Sequence, residues 1–386
     1  GPFGLRQKGT SRARLLPLAR ALAERGNEIT VVLPPWDSPQ DSGKEVEVEG
    51  VHVCHVTIPP SFPGLFHIIL ARRLAAEALA SRPDVVHCFK PKAYAGMAAF
   101  LLWYAARLGV TRVRLVLDTD DWEGPGGWNE IGPYTKMQKR LFAFQERWGL
   151  SHCHALTVAS HALETIAWSK GVPRDAVFYL PNGWHETDAD SQSPCPEPSQ
   201  GKTALLFTRF VEFDVAWLIQ VWKQVLARVP DARLLVVGKG LFGEEELLQQ
   251  LAHSEGTSDS LEYAGWLEGD DLRQRQQAAQ VALVPYQDTL INRSKCSVKL
   301  VELMASGLPV VATDVGENSK YIEHGVSGWL VPADDNEEFV NAVALLLQDL
   351  QLRTRLGKGA RRRILDKFKW SNLAERAEQA YLRALQ

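Results

Sequence analysis

A chain of 386 residues exceeds what one hydrophobic core usually serves, so two domains are expected. Hydrophobic residues at 45% and charged residues at 23% are ordinary for a soluble globular protein, and a formal charge of −3 excludes a general pull toward nucleic acid. The charge is uneven: residues 1–150 hold 19 Lys/Arg against 15 Asp/Glu, the remainder 24 against 31. A mildly basic first half suits an anionic membrane surface or a phosphorylated acceptor, and equally a solvated surface with chance bias.

Cys54, Cys88, Cys153, Cys195 and Cys296 are scattered and lack CxxC spacing, which suits a reducing compartment rather than a disulfide framework. His152-Cys153-His154 resembles a metal cluster, but alternate strand residues face opposite ways and further ligands are missing, so no metal is expected. No stretch approaches the roughly 20 apolar residues of a membrane span, and no secretory signal is read. A cytoplasmic location follows, with peripheral membrane contact left open.

The chain opens with Gly1-Pro2-Phe3-Gly4, a turn where an α/β domain should open with an apolar strand. Either a strand preceding Gly1 belongs there or the sheet is built without it. The first helix begins near Thr10 or Ser11 and stops at Gly26, with Leu15, Leu18 and Leu22 as its apolar stripe and Pro17 as a kink or true first turn. Strands are then expected over Glu28–Pro34, Val51–Ile58, Asp84–Phe89, Arg112–Asp118, Ala155–Ala159 and Ala176–Leu180. Helix Leu65–Leu79 puts Phe66, Ile69, Leu70 and Leu74 on one face, to pack on its own sheet or lie on a membrane. The segment HETDADSQSPCPEPSQGK, His185–Lys202, has no apolar periodicity and reads as a linker.

Beyond it the strands recur at Thr203–Thr208, Ala232–Val237, Leu261–Ala264, Val281–Pro285, Pro309–Thr313 and Trp329–Val331. Most are continuous aliphatic runs, as in parallel sheets covered on both faces. The fold class is therefore α/β, two Rossmann-like doubly wound domains facing across a cleft: residues 1–185, a linker at 186–202, and residues 203–370. Ligands of such sheets bind beyond the carboxyl ends of the strands.

Chemistry concentrates at those ends. Ser297 caps a helix stopped by Gly307, and Glu302 lies within it among apolar neighbours, where an acid needs a partner such as sugar hydroxyls. Arg293, Lys295 and Lys299 surround that helix start, a pattern suited to a diphosphate. Arg209 ends the strand Thr203–Thr208, placed to neutralise charge on a departing diphosphate. Gly238 and Gly265-Trp266 follow strands where backbone can approach a base or phosphate. In the first half Asp118, Asp120, Asp121 and Glu123, with Trp122, follow an apolar strand, and His87, Lys90 and Lys92 follow another. Such acids could orient an acceptor hydroxyl, bind a metal or simply cap the next helix.

The ordering resembles the retaining glycosyltransferases of family 4, with the GT-B fold, across essentially the whole chain. The block ELMASGLPVVATDVGENSKYIEHGVSGWLVP and Tyr179-Leu180-Pro181-Asn182-Gly183 carry the likeness most specifically. The resemblance implies that Glu302 holds the donor ribose and Arg209 its diphosphate, helped by backbone at Ser297-Val298 and by the Lys8-Gly9 loop. It places Asp120 or Asp121 where acceptor and transferred sugar meet, making Asp120, Asp121, Arg209 and Lys295 the catalytic candidates. His87, Lys90, Trp122 and Glu123 become acceptor contacts, and the helix Ser371–Leu385 crosses back onto the first domain.

Two features depart from that family. Ser294 stands where the family has a first acid, and the lysine usually following the strand-end arginine is missing, leaving Lys295 or Lys299 to supply its charge. The reading is a metal-independent, retaining transferase without a cofactor, with a nucleotide-diphospho-sugar as co-substrate and a sugar, lipid-linked or small-molecule acceptor. Two alternatives stand beside it: a nucleotide-sugar hydrolase or epimerase, suggested by the acids at Asp118–Glu123, and an inactive nucleotide-sugar-binding module, suggested by Ser294.

Overall fold

The computed structural model describes residues 1–2, 4–5, 9–61, 65–185 and 200–386. Lys8 and most of the expected linker, residues 186–199, lie outside the described residues. The chain divides into two compact units. One comprises Gly1–His185, Ser294–Cys296 and Trp370–Gln386; the other comprises Glu186–Arg293 and Ser297–Lys369.

In the first unit a π-helical turn, Ser11–Leu15, leads into α1 (Leu16–Glu24). Pro17 occupies its first turn, where the missing N–H has no intrahelical partner to lose, and Gly26 ends the helix at φ 91°. Strands β1 (Thr30–Leu33), β2 (Glu45–Val48) and β3 (Val51–His55) form one sheet in the order β1-β3-β2. The exposed, Glu-alternating β2 runs antiparallel to β3, turned by Glu49 and Gly50, both at positive φ. It corrects the expectation of parallel strands throughout: half its residues are acids, so it carries no aliphatic run to signal a strand.

Helix α2 (Leu65–Ala80) buries Leu70, Ala71, Leu74 and Ala75 and packs on α3 (Ala93–Arg107). A second sheet orders β4 (Val85–Phe89), β5 (Arg114–Thr119), β6 (Ala155–Val158) and β7 (Val177–Tyr179), all parallel. Between β5 and β7 run α4 (Trp128–Ile131), α5 (Lys136–Ser151), opened by a Thr135–Gln138 capping box, and α6 (His161–Ser169). Strands β1 and β4 belong to separate sheets, and a cavity of about 410 Å³ lies between them, lined largely by apolar side chains of α1, β1, β4 and α3.

Among the described residues the second unit's sheet has six parallel strands. They are β8 (Thr203–Thr208), β9 (Arg233–Gly238), β10 (Leu261–Gly265), β11 (Val281–Val284), β12 (Val310–Thr313) and β13 (Trp329–Val331), ordered β10-β9-β8-β11-β12-β13. Their connections include α7 (Val215–Arg228), α8 (Glu244–Ser254), α9 (Gly269–Ala278), α10 (Leu290–Ser294), α11 (Val298–Ala305) and α12 (Asn318–Tyr321). The helices α13 (Asn336–Gln348) and α14 (Leu350–Lys367) follow. Every residue of β11 and β12 is buried, the mark of a sheet covered on both faces. Trp222 of α7 and Phe339 of α13 anchor the core against Val236, Leu283 and Val311. Each such large apolar side chain stabilises by about 1.5–3 kcal/mol when fully buried.

The final helix, α15 (Trp370–Leu385), belongs to the first unit and packs on β4–β7 and α1. Its Ala374, Ala377, Ala380 and Ala384 are buried, and these small side chains let its backbone lie close to the sheet.

Candidate active site

In the second unit the site grows from the end of β8. Thr208 pairs in register with Gly238 of β9, and Val237 pairs with Gly265 of β10, so Arg209, Gly238 and Gly265-Trp266 emerge at one sheet edge. Glu212, which is buried, ties the turn: Thr208 Oγ1 donates to its carboxylate at 2.9 Å and the Arg209 N–H at 3.2 Å. Phe210 takes a left-handed conformation, φ 63°, to make that turn. The Arg209 guanidinium lies 5.4 Å from the Trp266 ring centre, and its buried Nε has no hydrogen-bond partner among the described residues.

Helix α11 supplies the opposite wall. Ser297 Oγ accepts from the Leu300 N–H at 3.2 Å, the predicted cap. The Lys299 ammonium lies 4.7 Å from the Phe207 ring centre, and Phe207 lies 6.4 Å from Trp266. Lys299 and Glu302, three residues apart, share one helix face, and both are half-buried. Arg209, Trp266, Phe207 and Lys299 thus form one continuous group within this unit, and the helix that carries Lys299 also carries Glu302, with Ser297 and Val298 at its start. Gly238 has a packing reason for its identity: a Cβ there would lie 1.9 Å from the Thr208 carbonyl oxygen, at φ 143°. At Gly265 a Cβ would meet nothing within 4 Å, although φ is +69°.

The basic loop does not act as one charge. Arg293 is paired with Asp288, while Lys295 clusters with the first unit, 5.8 Å from the Trp128 ring centre. Ser294 is fully buried there, and its carbonyl accepts from Ser160 Oγ at 2.8 Å.

In the first unit the acids divide into two roles. Asp118 is sealed from solvent and grips Arg14 by two bonds of 2.6 and 2.8 Å, with Thr157 Oγ1 donating at 2.6 Å. It is consumed in packing. Asp120 and Asp121 stand at the strand end beside Lys90, whose ammonium lies 3.4 Å from Asp120, 3.0 Å from Asp121 and 3.3 Å from Glu123. Thr10 Oγ1 donates to Asp120 at 2.7 Å, and the Gly9 carbonyl accepts from the N–H groups of Arg12 and Ala13, fixing that loop. Burial pushes the Asp120 carboxyl up, but Lys90 and Arg14 outweigh it and hold the group below its ordinary range. Asp121 is shifted the other way by burial and by Asp120 and Glu123, against the pull of Lys90. Lys92 closes the cluster, 2.8 Å from Glu123 and lying over Tyr134 and Phe142.

Two expected acceptor contacts point elsewhere. His87 has Nδ1 2.9 Å from the Tyr381 hydroxyl and Nε2 3.0 Å from Thr157, so both ring nitrogens are engaged by the protein. Burial, with the Arg14 charge, lowers its pKa to about 3, which keeps it neutral. Trp122 is buried and donates from Nε1 to the Pro125 carbonyl at 2.8 Å. His152 stacks on Trp148, and His154 Nδ1 accepts from the Leu115 N–H. Among the described residues no group of three or more His, Cys, Asp or Glu is arranged to hold a metal ion.

Sequence reasoning missed Thr10, Glu146 and the turn-holding role of Glu212. Glu146 on α5 is fully buried beneath the acids, accepting from Thr119 Oγ1 at 2.8 Å. Only Glu212 left a signal: an acid shortly after a strand-end Thr-Arg.

Residues 9–183 match the family described as glycosyl transferase 4-like domain, and residues 201–349 the family described as glycosyl transferases group 1. The chain belongs to glycosyltransferase family 4. It is a glycosyltransferase with the GT-B fold. It is 26% identical to the phosphatidyl-myo-inositol mannosyltransferase of Mycolicibacterium smegmatis, over 98% of this chain and 92% of that one. It is 30% identical to the sulfoquinovosyl transferase SQD2 of Arabidopsis thaliana, over 91% of this chain and 66% of that one. Among solved structures it resembles Anabaena HepE in complex with UDP, at TM-score 0.68 and 18% identity, over 98% and 97% of the two chains.

Proposed function

We propose that this family 4 enzyme is a retaining, metal-independent transferase that moves a sugar from a nucleotide-diphospho-sugar to an acceptor hydroxyl. The observation that carries the reading is the group at the β8 edge, where Arg209 keeps an unpartnered buried Nε beside Trp266, with Lys299 and Glu302 on the facing helix. Arg209 and Lys299 would take the diphosphate, Glu302 the ribose hydroxyls and Trp266 a face of the base. The bond from the anomeric carbon to the phosphate oxygen breaks with its electron pair leaving on the diphosphate. Fixed cations meeting that charge lower the barrier most when water is excluded. Retention requires the acceptor oxygen to arrive on the face the diphosphate leaves, so a departing phosphate oxygen is placed to take the acceptor's proton.

Lysines support metal independence: Lys90 and Lys92 already neutralise the acids at Asp120–Glu123. Asp120 and Asp121 remain the candidates for orienting the acceptor. Relatives named for phosphatidyl-myo-inositol support a lipid-linked acceptor. A thermal-shift screen of nucleoside diphosphates tests donor binding, because a ligand of the folded state raises its apparent stability. Stabilisation of wild type by one diphosphate, lost in Arg209→Ala, is expected; equal stabilisation of both proteins would remove Arg209 from the site.

A further inference from the structure

Helices α3 and α5 of the first unit carry a run of exposed apolar side chains. On α5, Met137, Leu141 and Phe144 recur with Trp148 at i, i+4, i+7 and i+11, a single helical stripe. Met137 is 79% exposed, and Leu141 and Phe144 are also exposed. The stripe passes onto α3 through rings: Trp148 lies 4.9 Å from Phe100 and 6.3 Å from Tyr104. Leu108, one turn beyond Tyr104, is 77% exposed. A contiguous apolar patch of this kind marks an interaction surface.

Charge identifies what it meets. Helix α3 contains no acid, and the one acid of α5, Glu146, is fully buried. The exposed charged residues of these two helices are cations: Arg107 on α3 and Lys136, Arg140 and Arg147 on α5. Glu130 of the preceding α4 is an exposed carboxylate, and it accepts from the Gly126 N–H. A second copy meeting this face would set cations against cations.

We propose that the α3–α5 face binds the surface of an anionic lipid bilayer, with the apolar stripe entering the headgroup boundary and the flanking Lys and Arg resting on lipid phosphates. The inference stands on this surface alone and does not require the transfer reaction. The full chain is sedimented with vesicles of phosphatidylcholine alone and of phosphatidylcholine mixed with phosphatidylglycerol. Two variants accompany it, Leu141→Ser/Phe144→Ser and Lys136→Glu/Arg140→Glu, each checked for unchanged thermal unfolding. Binding to the mixed vesicles is expected, weakened about tenfold or more by each double variant. Failure of wild type to bind the mixed vesicles, or binding untouched by the apolar variant, overturns the proposal. Loss of a wild-type dimer in both variants, without vesicle binding, would instead assign the face to a protein contact and overturn it equally.

Discussion

Arg14 and Asp118 form a two-pronged ion pair in which neither side chain meets solvent, at 1% and 0% exposure. The same guanidinium donates to Asn182 Oδ1 and to the Leu180 carbonyl, so one residue of the π-turn before α1 joins β5 to the chain leaving β7. Desolvation opposes the Arg14 charge, but Asp118 beside it holds the group more firmly protonated than usual. Removing either partner leaves an uncompensated buried charge, which costs about 3–5 kcal/mol. Asp118→Ala and Arg14→Leu are each expected to lower stability by that order in urea unfolding. The double variant should lose less than the two losses added together, as the cycle will show.

Glu146 gives the fold a specific pH dependence. Burial, only partly offset by the Thr119 hydrogen bond, raises its pKa from 4.5 to about 8. Between those values the unfolded chain releases this proton and the folded chain keeps it, so the contribution of Glu146 to stability falls as pH rises through that window. Glu146→Gln keeps an acceptor for Thr119 and removes the titration. The variant is expected to match wild type near pH 4 and to exceed it by on the order of 4 kcal/mol at pH 8. Denaturant unfolding across the range checks the sign, and a constant difference would contradict it.

Gly238 couples the second unit's sheet to its site. A methyl at this position would overlap the Thr208 carbonyl at the junction of β8 and β9. Gly238→Ala should therefore destabilise by about 1–3 kcal/mol and displace the turn that carries Arg209. Gly265→Ala, which meets no neighbour, should be milder, and ranking the two melting temperatures tests this.

Much of this architecture was legible because buried parallel strands leave aliphatic runs: Thr203–Thr208 and Trp329–Val331 fall as expected, and most other ends within a residue or two. Strand β2 was hidden because it is exposed, short and half acidic. The positions of Arg209 at a strand end and of Lys299 and Glu302 on a capped helix were readable, since they follow from chain order. What chain order could not show was pairing across long separations. Asp118 and Asp120 are two residues apart, yet Arg14 takes one, and Thr10 and Lys90 take the other. Likewise, three nearby cations separate because Asp288 neutralises Arg293 and Lys295 belongs with Trp128.

The central claim is that Arg209 stabilises the departing diphosphate. Sugar transfer by Arg209→Ala, measured with the donor found by the diphosphate screen, tests it most directly. Loss of one such donor of charge stabilisation is worth about 10²–10³ in kcat, and a fall of that size with an intact fold is the expected result. Turnover at the wild-type rate would contradict the account.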